Sequence, residues 1–301
     1  MMLASQDFPP AMHNSPYSMK GIYDCEIIEQ HEVSPGVYRT LLTGEEIARQ
    51  ARAGQFLNVQ VSRSTDPLMR RPFSVHAVYP DEGRFTLLYV VVGRGTELLR
   101  HIPAGDKVSV VGPLGRGFDV GESPDAEHIV VAGGCGAAPL HFLCDALCKK
   151  WGCENVLVLA GGRSKNAVLC EAEFRAHGVQ VGISTDDGTY GHGGFVTQLL
   201  EQALGKRQQA IGRDLSRVRV YSCGPHPMVR EVARICREAG VGNCQVSLEN
   251  NMACGMGVCV GCVQKVRVQS SKLKVESAGD WEWKRVCKDG PVFDAEDVIW
   301  E

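Results

Sequence analysis

Three cysteines stand close together in E-N-N-M-A-C-G-M-G-V-C-V-G-C, residues 249–262: Cys254, Cys259 and Cys262, spaced C-x4-C-x2-C. That spacing is the plant-type signature of a [2Fe–2S] cluster, which needs a fourth, distant thiolate. Downstream, Cys287 in R-V-C-K-D-G-P-V-F is the only cysteine left. Gly255, Gly257 and Gly261 let a tight loop take positive φ and turn its N–H groups toward sulfur. Structural zinc is the rival, since four cysteines also make a tetrahedral site. Zinc ligands usually come as two short pairs, whereas here three sit together and one stands apart. Ordinary buried thiols are the third reading.

Other stretches carry phosphate and ring chemistry. In R-R-P-F-S-V, residues 70–75, an arginine beside Pro72 and Phe73 offers a phosphate clamp next to a flat surface. Ser74 adds a hydroxyl that could reach a flavin ring nitrogen. The plainer reading is an edge strand opened by Pro72 with solvated arginines. L-Y-V-V-V-G-R-G-T, residues 88–96, is a strand ending in a glycine turn that opens a short helix, a setting whose free N–H groups bind diphosphate. G-P-L-G-R-G-F, residues 112–118, is a third such turn with a weaker signal.

A-G-G-C-G-A-A-P, residues 132–139, follows a strand and opens a helix, as a dinucleotide-binding turn does. The acidic ribose ligand expected about twenty residues on is not visible. Gly161, Gly162 and Arg163 occupy the end of the next strand instead, so the sequence does not choose NADH over NADPH. S-C-G-P-H-P-M, residues 222–228, puts Cys223 at a strand's carboxyl end, where ligands collect in open α/β sheets. Its bland alternative is a core thiol beside a turn.

The elements that must position these residues change character along the chain. Strands are expected at residues 22–30, 37–42, 56–61, 73–79, 85–92 and 107–111, with a single short helix at 96–101, which suggests a small antiparallel barrel. From about residue 125, apolar strands at 128–132, 156–160, 179–184, 218–222 and 245–248 alternate with helices at 140–150, 170–176, 195–204 and 227–239. That alternation means a parallel sheet covered on both faces. The polar run K-R-Q-Q-A-I-G-R, residues 206–213, reads as a solvated surface loop. The last fifty or so residues cannot easily bury a core alone, so a cluster would also staple them. The expected fold is thus α+β and multidomain: a tail (1–20) that reads as disordered, an antiparallel β-barrel (21–123), an α/β parallel-sheet nucleotide domain (124–248) and a small C-terminal [2Fe–2S] domain (249–301).

Composition narrows the setting. The 301 residues carry a formal net charge of −3, which gives no electrostatic reason to expect nucleic acid. Thirteen cysteines, an odd number with cluster spacing in four, argue against a disulfide framework and for a reducing compartment. No apolar run is long enough to span a membrane, and the N-terminal stretch lacks the basic start and apolar core of a secretory signal. A cytoplasmic protein is expected.

Taken in order, R-P-x-S, G-G-x-G-x-x-P and C-G-P-x-x-M resemble the ferredoxin–NADP reductase superfamily. The cysteine stretch, V-C-K-D-G-P-V-F-D-A-E-D-V-I-W (286–300) and T-D-D-G-T-Y-G-H-G-G-F-V-T (185–197) narrow the resemblance. They are similar to the electron-transfer subunits of class B dihydroorotate dehydrogenases, NAD-linked bacterial enzymes of pyrimidine synthesis, over residues 21–301. The resemblance implies FAD on Arg71, Pro72, Phe73 and Ser74, on Leu88, Tyr89 and Val90, and on Gly95 and Thr96. It implies NAD(H) across Gly133, Gly134, Gly136 and Cys223, and cluster ligands Cys254, Cys259, Cys262 and Cys287. It further implies a relay in which a flavin mediates between hydride and single electrons. The partner implied is an FMN-containing dihydroorotate dehydrogenase catalytic subunit, in a heterotetramer of two of each chain. No acid–base pair for dihydroorotate is evident in this chain.

Two departures stand out. Val90 occupies a position where relatives often carry a basic residue, so that FAD contact is expected through backbone alone. The 24 residues between Cys262 and Cys287 exceed the family's expected gap, and the insertion around residues 270–283 could alter the face offered to a partner. The other readings are a related NAD(P)H reductase feeding sulfide/polysulfide or ferredoxin chemistry, a redox-sensing subunit, and a zinc-stapled flavoprotein.

Overall fold

The computed structural model describes residues 21–211, 214–268 and 281–300. The expected tail at 1–20 and most of the expected insertion lie outside the described residues. The first elements are β1 (Gly21–Ser34), β2 (Val37–Thr43), α1 (Glu45–Gln50), β3 (Phe56–Val59), β4 (Arg71–Tyr79), β5 (Arg84–Val90), α2 (Arg94–Leu99) and β6 (Lys107–Leu114). The six strands close into a barrel of order β1-β2-β5-β4-β3-β6, every pair antiparallel. In β1 and at the start of β6, Cys25, Ile27, Val108 and Val110 are buried at every second position, as an inward face requires. Closure leaves β4 no free edge, so the reading of R-P-F-S as an edge strand does not hold.

This half has two short helices where the sequence suggested one. In α1, Glu45 pairs with Arg49 at 3.0 Å while Ile47 and Ala48 are buried. Six residues are under two turns, too few for a helical period to stand out in sequence.

The second unit carries β7 (Glu127–Gly133), α3 (Ala137–Trp151), β8 (Val156–Gly162), α4 (Glu171–Ala176), β9 (Gln180–Thr185), β10 (His192–Gly193), α5 (Val196–Ile211), β11 (Val218–Cys223), α6 (His226–Ala239) and β12 (Asn243–Ser247). The rest forms β13 (Val263–Arg267), β14 (Trp281–Arg285), α7 (Val286–Asp289) and β15 (Val292–Asp294). One sheet runs β10-β9-β8-β7-β11-β12-β15, parallel throughout except for β15, which lies antiparallel on β12. Strand alternation sorts its side chains. Val130, Ala132, Val158, Ala160 and Tyr221 share a core with α3 and the barrel, whereas Ile129, Val131, Leu159 and Val220 share one with α5 and α6. Helix α6 buries Val229, Val232, Ala233 and Cys236, one face at helical spacing, and ends at Gly240 with φ 76°.

The run expected as a loop at 206–213 instead continues α5 to Ile211, and its last two residues lie outside the described residues. Arg207 Nε donates to Glu127 Oε2 at 2.6 Å, so part of the charged run is a helix face and not a turn. Residues 249–268 and 281–300 do not depend on a cluster alone for their shape. Cys262, Val286, Cys287, Phe293 and Val298 join the α5–α6 core, and β15 extends the sheet. Among the described residues no helix is long and apolar enough to cross a membrane.

The barrel and the sheet unit are fastened beside R-P-F-S. The rings of His76 in β4 and His141 in α3 stack at 4.5 Å, and His141 Nδ1 donates to the His76 carbonyl at 3.1 Å. A third imidazole, His128 in β7, is fully buried between Tyr221 and Trp151. Burial, then the Arg219 cation, lowers its pKa from 6.5 to about 4. Between those values the unfolded chain binds a proton that the fold excludes, so this stability is present above pH 6.5 and is lost as pH falls toward 4. His128→Phe should therefore flatten the decline of the thermal midpoint on acidification; an unchanged slope would place the acid sensitivity elsewhere.

Candidate functional site

A cavity of about 1470 Å³ opens between the barrel and the carboxyl ends of the sheet strands. It exceeds the roughly 300–1,000 Å³ of ordinary small-molecule pockets. Arg71, Pro72, Phe73 and Ser74 of β4 line it together with Leu88, Tyr89 and Val90 of β5 and Thr96 of α2. The sheet side contributes Gly133, Gly134, Cys135, Gly161, Gly162 and Arg163. β7, flanked by β8 and β11, marks the switch point of the sheet, where α/β ligands bind.

The two arginines of R-R-P-F-S divide their work. Arg70 Nη1 donates to the Ser109 carbonyl at 2.6 Å and Nη2 to Ser109 Oγ at 3.0 Å, which commits it to β6. Arg71 donates to the Met69 carbonyl at 2.6 Å and lies over Gly95, where a Cβ would come within 2.4 Å of its Nε. Gly95 thus supports the wall from behind. Tyr89 donates to Gln30 Oε1 at 3.0 Å and packs against Phe73 with ring centroids 5.2 Å apart, a firm aromatic surface. The Thr96 hydroxyl is taken up within its own turn: it donates to the Gly93 carbonyl and accepts from Val92 and Gly93 N–H. A guanidinium, an aromatic wall and a backbone turn on one roomy cavity fit a flavin dinucleotide.

On the sheet side, Gly133–Gly136 leads directly into the fifteen-residue α3, a helix start suited to diphosphate. Gly136 stands behind the wall, where a Cβ would come within 2.2 Å of the Cys223 carbonyl. Cys223 itself is 1 % exposed, its thiol pushed up by burial and then by the Glu249 charge; it sits in the core at the end of β11. Pro225 and Met228, from the same C-G-P-H-P-M turn, reach the cavity.

Four acidic residues that the motifs did not point to line the cavity, Asp186, Glu201, Glu231 and Glu249, and two of them flank the ligand turns. Asp186 follows β9, its N–H donating to the Gly162 carbonyl at 3.0 Å. The acidic group thus comes from one strand further over than the fingerprint spacing suggests, although T-D-D-G was there to be weighed. Glu249 lines the cavity where residues 249–252 pass toward Cys254. Glu249 is exposed toward the cavity, and the protein atoms crowded around it raise its pKa by desolvation.

At the other end of that segment the cysteines stand as two neighbouring pairs, Cys254 with Cys259 and Cys262 with Cys287, and among the described residues no three metal-ligating side chains are grouped around one point. Cys254 Sγ accepts N–H groups from Met256 at 3.5 Å, Val258 at 3.3 Å and Cys259 at 3.4 Å, and Cys262 Sγ accepts the Cys287 N–H at 3.4 Å. Gly255 and Gly257 take φ of 69° and 86°; the third positive φ, 56°, falls on Val260 and not on Gly261. Burial raises the Cys254 thiol, but the N–H groups outweigh it and hold the pKa at about 6. Burial and then the neighbouring Cys262 push Cys287 up to about 12, a cost a bound cation would relieve. Cys262 and Cys287 are 2 % and 1 % exposed, whereas Cys259 is exposed, so the group has a buried side and an open side. Two amide-lined pairs of thiols match in kind and number the four thiolates that an iron–sulfur cluster takes.

Cys287→Ser should lower iron content and the reduced-cluster paramagnetic signal while NADH-to-dye activity persists; a full signal would remove Cys287 as a ligand. Arg71→Ala removes a charge-assisted contact worth about 1.5–3 kcal/mol, so FAD affinity should fall about tenfold or more in a flavin titration. Unchanged affinity would place the phosphates elsewhere.

Comparison with known proteins agrees with this geometry. The family model described as the iron-sulfur cluster binding domain of dihydroorotate dehydrogenase B matches residues 249–299. The one described as an oxidoreductase FAD-binding domain matches residues 24–118. A relative from Desulforamulus reducens, named dihydroorotate dehydrogenase B (NAD(+)), electron transfer subunit, is 38% identical over 94% of this chain and 100% of its own length. One of the same name from Geobacillus thermodenitrificans is 35% identical over 91% and 96%. Among solved structures, an NADH-dependent reduced ferredoxin–NADP oxidoreductase superposes with a TM-score of 0.74 at 27% identity, covering 96% of this chain and 92% of that one.

Proposed function

This chain belongs to the family of dihydroorotate dehydrogenase B (NAD(+)) electron transfer subunits, and on that premise we propose the residues and the partner through which it works. Its role is to carry electrons between NAD(H), FAD, a [2Fe–2S] cluster and an FMN-containing catalytic subunit that interconverts dihydroorotate and orotate, in a heterotetramer of two of each chain. One observation carries this reading. A single cavity is walled at once by the flavin motif of the barrel, the glycine turn of the sheet, and residues 249–252 leading into Cys254. Bound FAD and the cluster supply the redox chemistry, since a flavin exchanges hydride with nicotinamide and single electrons with iron.

The chain's residues hold and orient. Arg71 and the turn at Gly95 and Thr96 take the FAD diphosphate; Pro72, Phe73, Ser74, Leu88, Tyr89 and Val90 bound the ring system. Gly133 and Gly134 take the NAD(H) diphosphate at the start of α3, with Gly136 and Cys223 supporting the turn from behind. Cys254, Cys259, Cys262 and Cys287 hold the iron. Residues 21–123, 124–248 and 249–301 divide these tasks among a flavin, a nucleotide and a cluster domain. Val258 and Val260, 75% and 56% exposed, flank Cys259 and give the open side an apolar rim suited to a protein partner. All thirteen cysteines are free, which supports a reducing, cytoplasmic setting.

Co-expression with the catalytic subunit tests this. A stable complex should form in which NADH bleaches the flavin and drives orotate reduction; a complex without NADH-dependent bleaching would overturn it. Asp186, placed to accept from an adenosine ribose hydroxyl, favours NADH over its 2′-phosphorylated form. Asp186→Ser should raise kcat/KM for NADPH relative to NADH by about tenfold. An unchanged ratio in dye reduction would remove Asp186 from the site.

A further inference from the structure

We propose that Asn58 is a positioning residue that fixes the cluster loop against β3, the strand paired with the flavin-motif strand β4, and so sets the geometry across which electrons pass between flavin and cluster. The proposal rests on the electron-transfer reading above. Asn58 sits in β3, 2 % exposed, with Pro72 of the R-P-F-S motif as its register partner in β4. Its Nδ2 donates to the carbonyl oxygen of Cys254 at 3.1 Å, a contact between residues 196 apart in sequence. A carbonyl only accepts, so the amide nitrogen must face the loop and the orientation of the side chain is decided.

The following residue shows how closely the loop is seated. At Gly255, φ 69°, a Cβ would come within 2.5 Å of Asn58 Nδ2 and 3.1 Å of its Cγ. Glycine there lets the loop settle onto the amide. One residue therefore has its carbonyl anchored to β3, the strand paired with the R-P-F-S strand, and its thiol wrapped by the N–H groups of Met256, Val258 and Cys259.

Stability does not account for the amide. Asn58 Oδ1 is buried without a hydrogen-bond partner among the described residues. A half-satisfied buried amide is a worse choice for stability than an apolar side chain of similar shape. What the amide contributes is the bond to Cys254. The Cys287 arm reaches the barrel separately and through backbone, with Arg116 N–H donating to the Gly290 carbonyl. Losing the Asn58 contact should leave that arm in place, so the cluster can still be loaded while its seat on the barrel loosens.

Two variants test this in the full chain. Asn58→Asp keeps the shape but turns an acceptor toward the Cys254 carbonyl, and Asn58→Leu removes both polar ends. In cluster-free protein, amide hydrogen exchange across residues 254–259 should quicken about fivefold or more. With FAD bound and iron reconstituted, NADH-to-dye activity should be unchanged while flavin-to-cluster transfer, followed by stopped flow and normalised to iron, slows about tenfold. Native exchange, or a native transfer rate per loaded cluster, in both variants would overturn the proposal, because a merely structural role would change loading and not the rate per cluster. If the wild-type chain itself passes no electrons from NADH to iron, the electron-transfer reading is what fails, and the exchange measurement still judges Asn58.

Discussion

Residues 249–268 and 281–300 take their shape from being docked on two other units at once. Their apolar side chains are buried with α5 and α6, β15 lengthens the parallel sheet, and the Gly290–Pro291 turn lies against Gly115 and Arg116 at the end of β6. A segment of this size has too little interior to be rigid alone. Docked, it shares the interior of a much larger body. That sharing brings Cys287 back beside Cys262 across 25 positions of sequence.

Electrostatics follows from the same packing. Cys254 lies where a tight loop turns three N–H groups onto its sulfur, which favours the thiolate that a metal needs. Cys287 is buried, where an unpaired thiolate is disfavoured until a cation neutralises it. One side of the group is thus tied to the core while Cys259 faces outward. Such an asymmetry suits a centre that takes electrons from inside the molecule and releases them at its surface.

The crevice expresses the same economy of placement. β4 meets α3 through stacked imidazoles just beyond R-P-F-S, the glycine turn before α3 opens onto the cavity, and Glu249 arrives from the cluster segment. Three stretches distant in sequence share one wall because the barrel, the sheet and the last segment each present a loop or strand end to it.

Local chemistry was legible in the sequence wherever it depends on spacing. R-P-F-S and the glycine turns before α2 and α3 lie on the cavity, and the strand alternation identified barrel and sheet. Short-range pattern failed at α1, too brief to show a period, and at residues 206–211, where a charged helix face reads like a loop. Some outcomes no local pattern carries: Arg71 facing the cavity while Arg70 bonds to Ser109, and Cys223 lying behind the wall. Which groups are available, and the local turns that present them, can be read along the chain, because those depend on neighbours a few residues apart. Only the tertiary structure decided which groups meet, Asn58 with Cys254 above all, because that contact spans 196 positions and exists only when two separately folded surfaces pack.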